Sequence, residues 1–159
     1  MSEQVYTELQ FEQDTQDHVR KVRENLIRIS KMLMDRAMGH DDSKFSQEER
    51  ELFIEYTPKL KNVTYGSEEY KQFLKELKPA LDHHYAKNDH HSEHYKNGID
   101  DMHLVALIEM FVDWFASCQR HNDGNIRKSI AINKERYKLS DQLVSILENT
   151  AVLLENNNM

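Results

Sequence analysis

Nine histidines stand in a chain of 159 residues, and five of them fall between His83 and His94. His40 and Asp41 form a doublet at the head of HDDSKF, residues 40–45. Imidazole nitrogens and carboxylate oxygens together suit first-row transition ions such as Mn, Fe, Co, Ni or Zn. His83 and His90 are seven residues apart, as are His84 and His91. An unbroken helix would align each pair on one face, two turns apart. A solvated loop would make the same residues a pH-sensitive polar patch, and composition does not separate the two readings. Glu109 and Asp113 add two carboxylates one turn apart, roughly 40° around a helix axis, within the most apolar segment of the chain. A carboxylate buried without a partner costs several kcal/mol. A solvated groove, a cation from another helix or a metal must therefore offset these two.

The elements that must position these groups read as helices. Val19, Val22, Leu26, Ile29 and Leu33 recur at three- and four-residue steps, predicting a helix from Thr15 to Met38 that Gly39 ends. His18 lies at the edge of that stripe, where a lone histidine is more often a boundary residue than a ligand. Ser46 with Glu49 reads as a capping box for a helix over Gln47–Tyr56. Pro58 and KNVTYGS read as a loop, followed by a helix over Ser67–Leu77 capped by Ser67. Pro79 suits the first turn of a further helix, ALDHHYAKN, and DHHSEHYKNGID reads as a loop or broken helix. MHLVALIEMFVDWFASC, Met102–Cys118, is apolar on nearly every side and predicts a central helix. HNDGN breaks it, and helices over Ile126–Tyr137 and Ser140–Glu155 precede a frayed tail at residues 156–159. Leu139, Leu143, Val144, Ile146, Leu147, Val152 and Leu153 make the last of these a core element or, less commonly, a homodimer face. The expected fold is a single all-α domain over residues 1–159, a compact bundle of six or seven helices.

Composition narrows the function classes. The net charge of −7 argues against general nucleic-acid binding. Four glycines and two prolines are too few for an all-β domain rich in tight turns. The N-terminal residues lack a signal-peptide pattern and no apolar run approaches membrane-spanning length, so a cytoplasmic, membrane-free protein is the expectation. Cys118, the single cysteine, is expected to pack as a small hydrophobe. There is no Cys-x-x-Cys pair, no phosphate-cradling glycine loop and no Gly-x-Ser-x-Gly elbow, which removes the corresponding zinc, nucleotide-loop and serine-nucleophile readings.

Taken in order, His18, His40-Asp41, His83/His84, His90-His91 and Asp113 resemble the HD-domain metal-dependent phosphohydrolases, helical proteins with an early His, an HD doublet, further histidines and a late Asp. HDDSKF is similar to the family's HD-x-[GS]-K form, HHSEHYKNG to the His-His segment of its binuclear branch, and VDWF to the segment carrying the last ligand. The chain also resembles a small phage and bacterial family of unknown function bearing HD-x-SKF, HHY-x-x-N-x-HH-x-EH and EM-x-x-DW. The histidine pairs stand closer than the binuclear branch places them, and Gly98 is followed by Ile99 and Asp100 where its cyclic-dinucleotide hydrolases have Gly-Tyr-Pro.

The resemblance implies an HD-like bundle holding one or two divalent ions through His18, His40, Asp41, His84, His91 and Asp113. Lys44, Glu109 and His90 take catalytic roles in that reading: Lys44 faces the substrate phosphate, and Glu109 orients a ligand histidine or accepts a proton. The substrate it implies is a small phosphate ester, a nucleotide by analogy. Arg120, Arg127 and Lys128 are candidates for an anion-binding rim, with ordinary surface charge the commoner outcome. Two other readings stand beside it: a di-iron oxygenase on the same fold, and a non-catalytic, metal-stabilised protein acting on a host or phage partner.

Overall fold

The computed structural model describes residues 6–63, 67–120 and 124–156. Among them there are six α-helices and no strand, so the all-α class holds. The helices are α1 (Glu8–Gly39), α2 (Gln47–Lys61), α3 (Glu68–Lys87), α4 (Leu104–Gln119), α5 (Ile126–Tyr137) and α6 (Asp141–Asn156). None is long and apolar enough to cross a membrane. The chain divides into two units, Met1–Gly39 and His40–Met159.

The first unit contains α1. It starts at Glu8, a full seven residues before the expected Thr15. The reason is a capping box that the apolar pattern does not reveal: Gln10 N–H donates to Thr7 Oγ1 at 3.3 Å, and Thr7 N–H donates to Gln10 Oε1 at 2.9 Å. Two orphan donors are thereby satisfied ahead of the apolar stripe, and the polar turns Glu8–Asp14 can stay helical.

The second unit packs two apolar clusters. α2 and α3 form an antiparallel pair around Tyr56, Leu77 and Ala80, with Leu52, Phe53, Leu60, Phe73 and Leu81 against them. Phe111, Ile126, Ile130, Leu139, Leu147 and Ala151 make the larger cluster, contributed by α4, α5, α6 and the link before α6. The final helix is therefore a core element, although Ile146, Val152 and Leu153 remain exposed. Cys118 packs against the same cluster as a small apolar group.

Both prolines correct the expected boundaries. Pro58 lies inside α2, which continues to Lys61, and Pro79 lies inside a single α3 that joins the two helices expected there. An interior proline costs about 3 kcal/mol. Burial on its flanks offsets that cost: Tyr56 and Leu60 pack beside Pro58, and Leu77 and Ala80 beside Pro79. α4 is also less enclosed than its sequence suggests. Val105, Ala106, Met110 and Phe111 are buried, whereas Leu104 and Val112 are exposed, because α5 covers one side of it. The break expected at HNDGN falls partly on residues 121–123, and the frayed tail largely on 157–159, outside the described residues; so do residues 64–66 of KNVTYGS.

Candidate metal centre

The His-Asp doublet stands at a bend. Asp41 has φ 60° and ψ 16°, in the left-handed region that aspartate enters more readily than most L-residues. The bend opens a short 3-10 turn, Asp42–Phe45, closed by Lys44 N–H donating to the Asp41 carbonyl at 2.9 Å. His83 and His84 arrive in the last turn of α3. That helix stops at Lys87, and Asn88 is extended at φ −117° and ψ 103°. His90 and His91 therefore lie on the following loop and not on a continued helix face. The reversal brings His91 back onto His84, with Nε2 3.0 Å from Nε2. Asn88 fastens this arrangement, its amide donating to the His84 carbonyl at 2.8 Å and to Ser43 Oγ at 2.7 Å.

The outcome is two overlapping groups of potential ligands: Asp41, His84, His90 and His91, and then His40, His90 and Glu109. In the first, Asp41 Oδ1 is 3.1 Å from His84 Nε2 and 3.4 Å from His90 Nε2. His90 sits between His40 and His91, its ring tilted 40° and 41° to theirs, with ring centroids 4.7 and 4.2 Å away. His90 thus stands among the potential ligands together with the expected His40, Asp41, His84 and His91. Asp113 reaches this group through His40, its Oδ1 3.8 Å from His40 Nε2. Lys44 Nζ pairs with Asp41 Oδ2 at the outer edge. His18 is on α1, in the other unit. Arg127, a candidate for an anion-binding rim, is paired bidentately with Glu155 at 2.8 and 2.9 Å on the surface.

Two carboxylates outside the cluster decide how the imidazoles present themselves. Glu49, fully buried, accepts from His83 Nδ1 at 2.7 Å and from His84 Nδ1 at 3.0 Å. Glu109 Oε1 is 2.8 Å from His40 Nδ1 and 3.2 Å from His90 Nδ1. A carboxylate at Nδ1 assigns the ring proton there and leaves Nε2 as a lone pair. As neutral rings, His84 and His90 would then turn an Nε2 lone pair toward the Asp41 carboxylate oxygen, a conflict that a proton on Nε2 or a cation between them relieves. Asp41 Oδ1 and His90 Nε2 are accordingly buried with no properly directed hydrogen bond. Ligands around an ion held at about 2.1 Å stand about 3.0–3.4 Å from one another, as do Asp41 Oδ1 with His84 Nε2 and His90 Nε2 and the His84–His91 Nε2 pair here, and the ligand atoms of all four groups lie within 4.8 Å of one another. A cation resolves the arrangement, so the residues fit a divalent metal.

Glu49 is the residue that the sequence reading misplaced. The capping box fails because Ser46 makes no side-chain cap bond, and Glu49 turns inward instead. Its signal was present: Glu49, Phe53, Tyr56 and Leu60 share one stripe of α2, so this carboxylate lies in an apolar pattern just as Glu109 and Asp113 do. Ser43 and Asn88 carry no such mark and were not legible.

A model of a family of unknown function, DUF5662, matches residues 7–153. The chain belongs to this family. No curated protein and no solved structure matches it.

In this DUF5662 protein the cluster holds protons where a cation would sit. Asp113, then Glu109, stabilise the His40 imidazolium and push its pKa up to about 10. Burial opposes the charge on His90, but Asp41 and Glu109 outweigh it and raise that pKa. Burial, with His90 and His84 nearby, pushes His91 down to about 3, so it is neutral. Burial also opposes ionisation of Asp41, yet bonds from His84, His90 and Lys44 hold it well below the usual carboxylate range. An ion held by His40 and His90 would have to displace the protons these rings carry. Affinity rises with pH, by about tenfold per unit for each proton displaced, until the pH passes the His40 value. Chelator-competition titrations at several pH values, corrected for the chelator's own protonation, check this. A flat profile contradicts it.

Proposed function

We propose that the protein is a metal-dependent phosphohydrolase acting on a small phosphate ester, with a nucleotide as the first substrate to try. The observation that carries the metal part is the convergence of His84 Nε2 and His90 Nε2 on Asp41 Oδ1, at 3.1 and 3.4 Å. Asp41, His84, His90 and His91 would hold one ion, with His40 and Asp113 beside them. His18 remains a ligand on resemblance alone. His90, given a catalytic role by the sequence, serves in this reading as a ligand. A divalent ion supplies Lewis acidity toward a phosphoryl oxygen and makes water a usable nucleophile near neutral pH.

The chain's own groups do the rest. Glu49 and Glu109 each face two imidazole Nδ1 atoms and, once the rings are neutral, would keep Nε2 as the ligating nitrogen. Lys44, half exposed and anchored on Asp41, offers its ammonium to the phosphate oxygens as negative charge grows on them. Hydrolysis breaks the P–O ester bond, adds the water oxygen to phosphorus and gives its proton to the departing alcohol.

The test is phosphate release from a set of nucleoside monophosphates and simple aryl phosphates, with Mn, Co, Fe or Zn supplied. Release should require metal and fall about 100-fold in Lys44→Ala. A metal-replete protein that releases phosphate from none of them removes the hydrolase reading and leaves the metal-stabilised binding protein. His18→Ala in the same assay tests the ligand that rests on resemblance, by metal content as well as rate.

A further inference from the structure

A groove of about 650 Å³ opens beside the centre, lined by Lys44, Phe45, Arg50, Phe53, Ile54, Thr57, Pro58 and Lys61. Its volume is that of a small-molecule site. Arg50, Phe53, Ile54, Thr57 and Lys61 lie along one face of α2, so a single rigid helix builds its wall. Phe45 and Ile54 are 77% and 65% exposed, an apolar surface that water covers poorly. Three cations line it and no carboxylate does, in a chain of net charge −7. Like several other surface cations, Arg50 and Lys61 have no ion-pair partner among the described residues, and so keep their charge for a ligand in the groove.

Two residues join groove and centre. Lys44 lines the groove while its ammonium rests on Asp41 and 5.3 Å above the Phe53 ring. Phe53 in turn sets its edge against the His84 ring, with centroids 5.9 Å apart. A phosphate at the centre would thus have its ester group pointing over Phe53 and Ile54.

We infer that this groove is the specificity subsite for the non-reacting part of the substrate, which is an aromatic group attached to the phosphate, with Arg50 and Lys61 drawing the anion in. The position of the phosphate rests on the metal-phosphohydrolase reading; the groove's preference for an aromatic anion is measured without it.

Three compounds that cannot be hydrolysed separate the parts: 1-naphthylmethylphosphonate, methylphosphonate and 1-naphthylmethanol, titrated calorimetrically into the full chain. The naphthyl phosphonate should bind about tenfold or more tightly than either of the others. That ratio should fall toward one in Ile54→Asp and in Arg50→Ala/Lys61→Ala, all at exposed positions, with unchanged thermal melts as the control for folding. Asp41→Ala should weaken every phosphonate but keep the ratio. A hydrolase reading that fails while the ratio stands leaves the subsite intact as a binding site. A ratio near one in the parent, a ratio unmoved by the groove variants, or an affinity that drops as protein concentration rises because a second copy covers α2, overturns the inference.

Discussion

Asp41→Ala protein should purify without the metal that its parent retains, and should fail to take up Mn, Co or Zn when these are added. Asp41 is the one carboxylate of its four-residue group, and both of its oxygens are committed: Oδ1 to His84 and His90, Oδ2 toward His40 at 3.5 Å and to Lys44. Without it, the four-residue group keeps three imidazoles and loses its only carboxylate ligand. Losing a group that only orients a ligand weakens binding about 10–100-fold, and losing a ligand should exceed that. Alanine also disfavours φ 60°, so Asp41→Asn is the necessary companion, because asparagine keeps the left-handed bend and removes only the charge. Elemental analysis of protein prepared without chelator or added metal decides between them. Retention of the parent's metal by Asp41→Asn removes Asp41 from the ligand set; a parent that binds no added metal removes the centre.

The second large effect belongs to Glu49. Its side chain is wholly buried, and it is the acceptor for two histidine Nδ1 atoms at 2.7 and 3.0 Å. Glu49→Ala removes that acceptor, leaves a cavity between α2 and α3, and should destabilise the protein by about 1–3 kcal/mol for each imidazole donor left without a partner. Denaturant unfolding in chelator reads this term free of any metal contribution. Glu49→Gln keeps the volume and one acceptor oxygen, so most of the stability survives. Its amide also presents hydrogens to one imidazole, and the tautomer of His84 is no longer fixed. Metal affinity should then fall about 10–100-fold with little change in melting. Equal affinity in Glu49→Gln and parent would show that Glu49 only fills space.

The helical class followed from periodicity, because a core-facing stripe must recur every three or four residues whatever it packs against. The last two helices came within a residue of their observed ends for the same reason, Ile126–Tyr137 and Asp141–Asn156. The prolines misled because the penalty of Pro58 or Pro79 is local, whereas the burial of Leu60, Leu77 and Ala80 that outweighs it is tertiary. α1 was cut short for the opposite reason: its first turns are held by Thr7 and Gln10, a local device without apolar rhythm.

The sequence by itself determined which residue types stood ready for chemistry. The His-Asp doublet, the two histidine pairs and the Glu109–Asp113 turn were visible because charged and imidazole groups within apolar or crowded segments must find partners. Only the tertiary structure decided how they combine. The loop or broken helix expected after Asn88 is what forms, so His84 and His91 do not align along a helix axis; the chain reverses at Asn88 and brings them together through a loop, held by the Ser43 and Asn88 bonds. Nor does any spacing announce that Glu49 lies under His83 and His84, since that contact joins residues 34 and 35 positions apart. Ring tautomers, and with them which nitrogens face a cation, are set by such long-range neighbours, and a linear pattern carries no record of them.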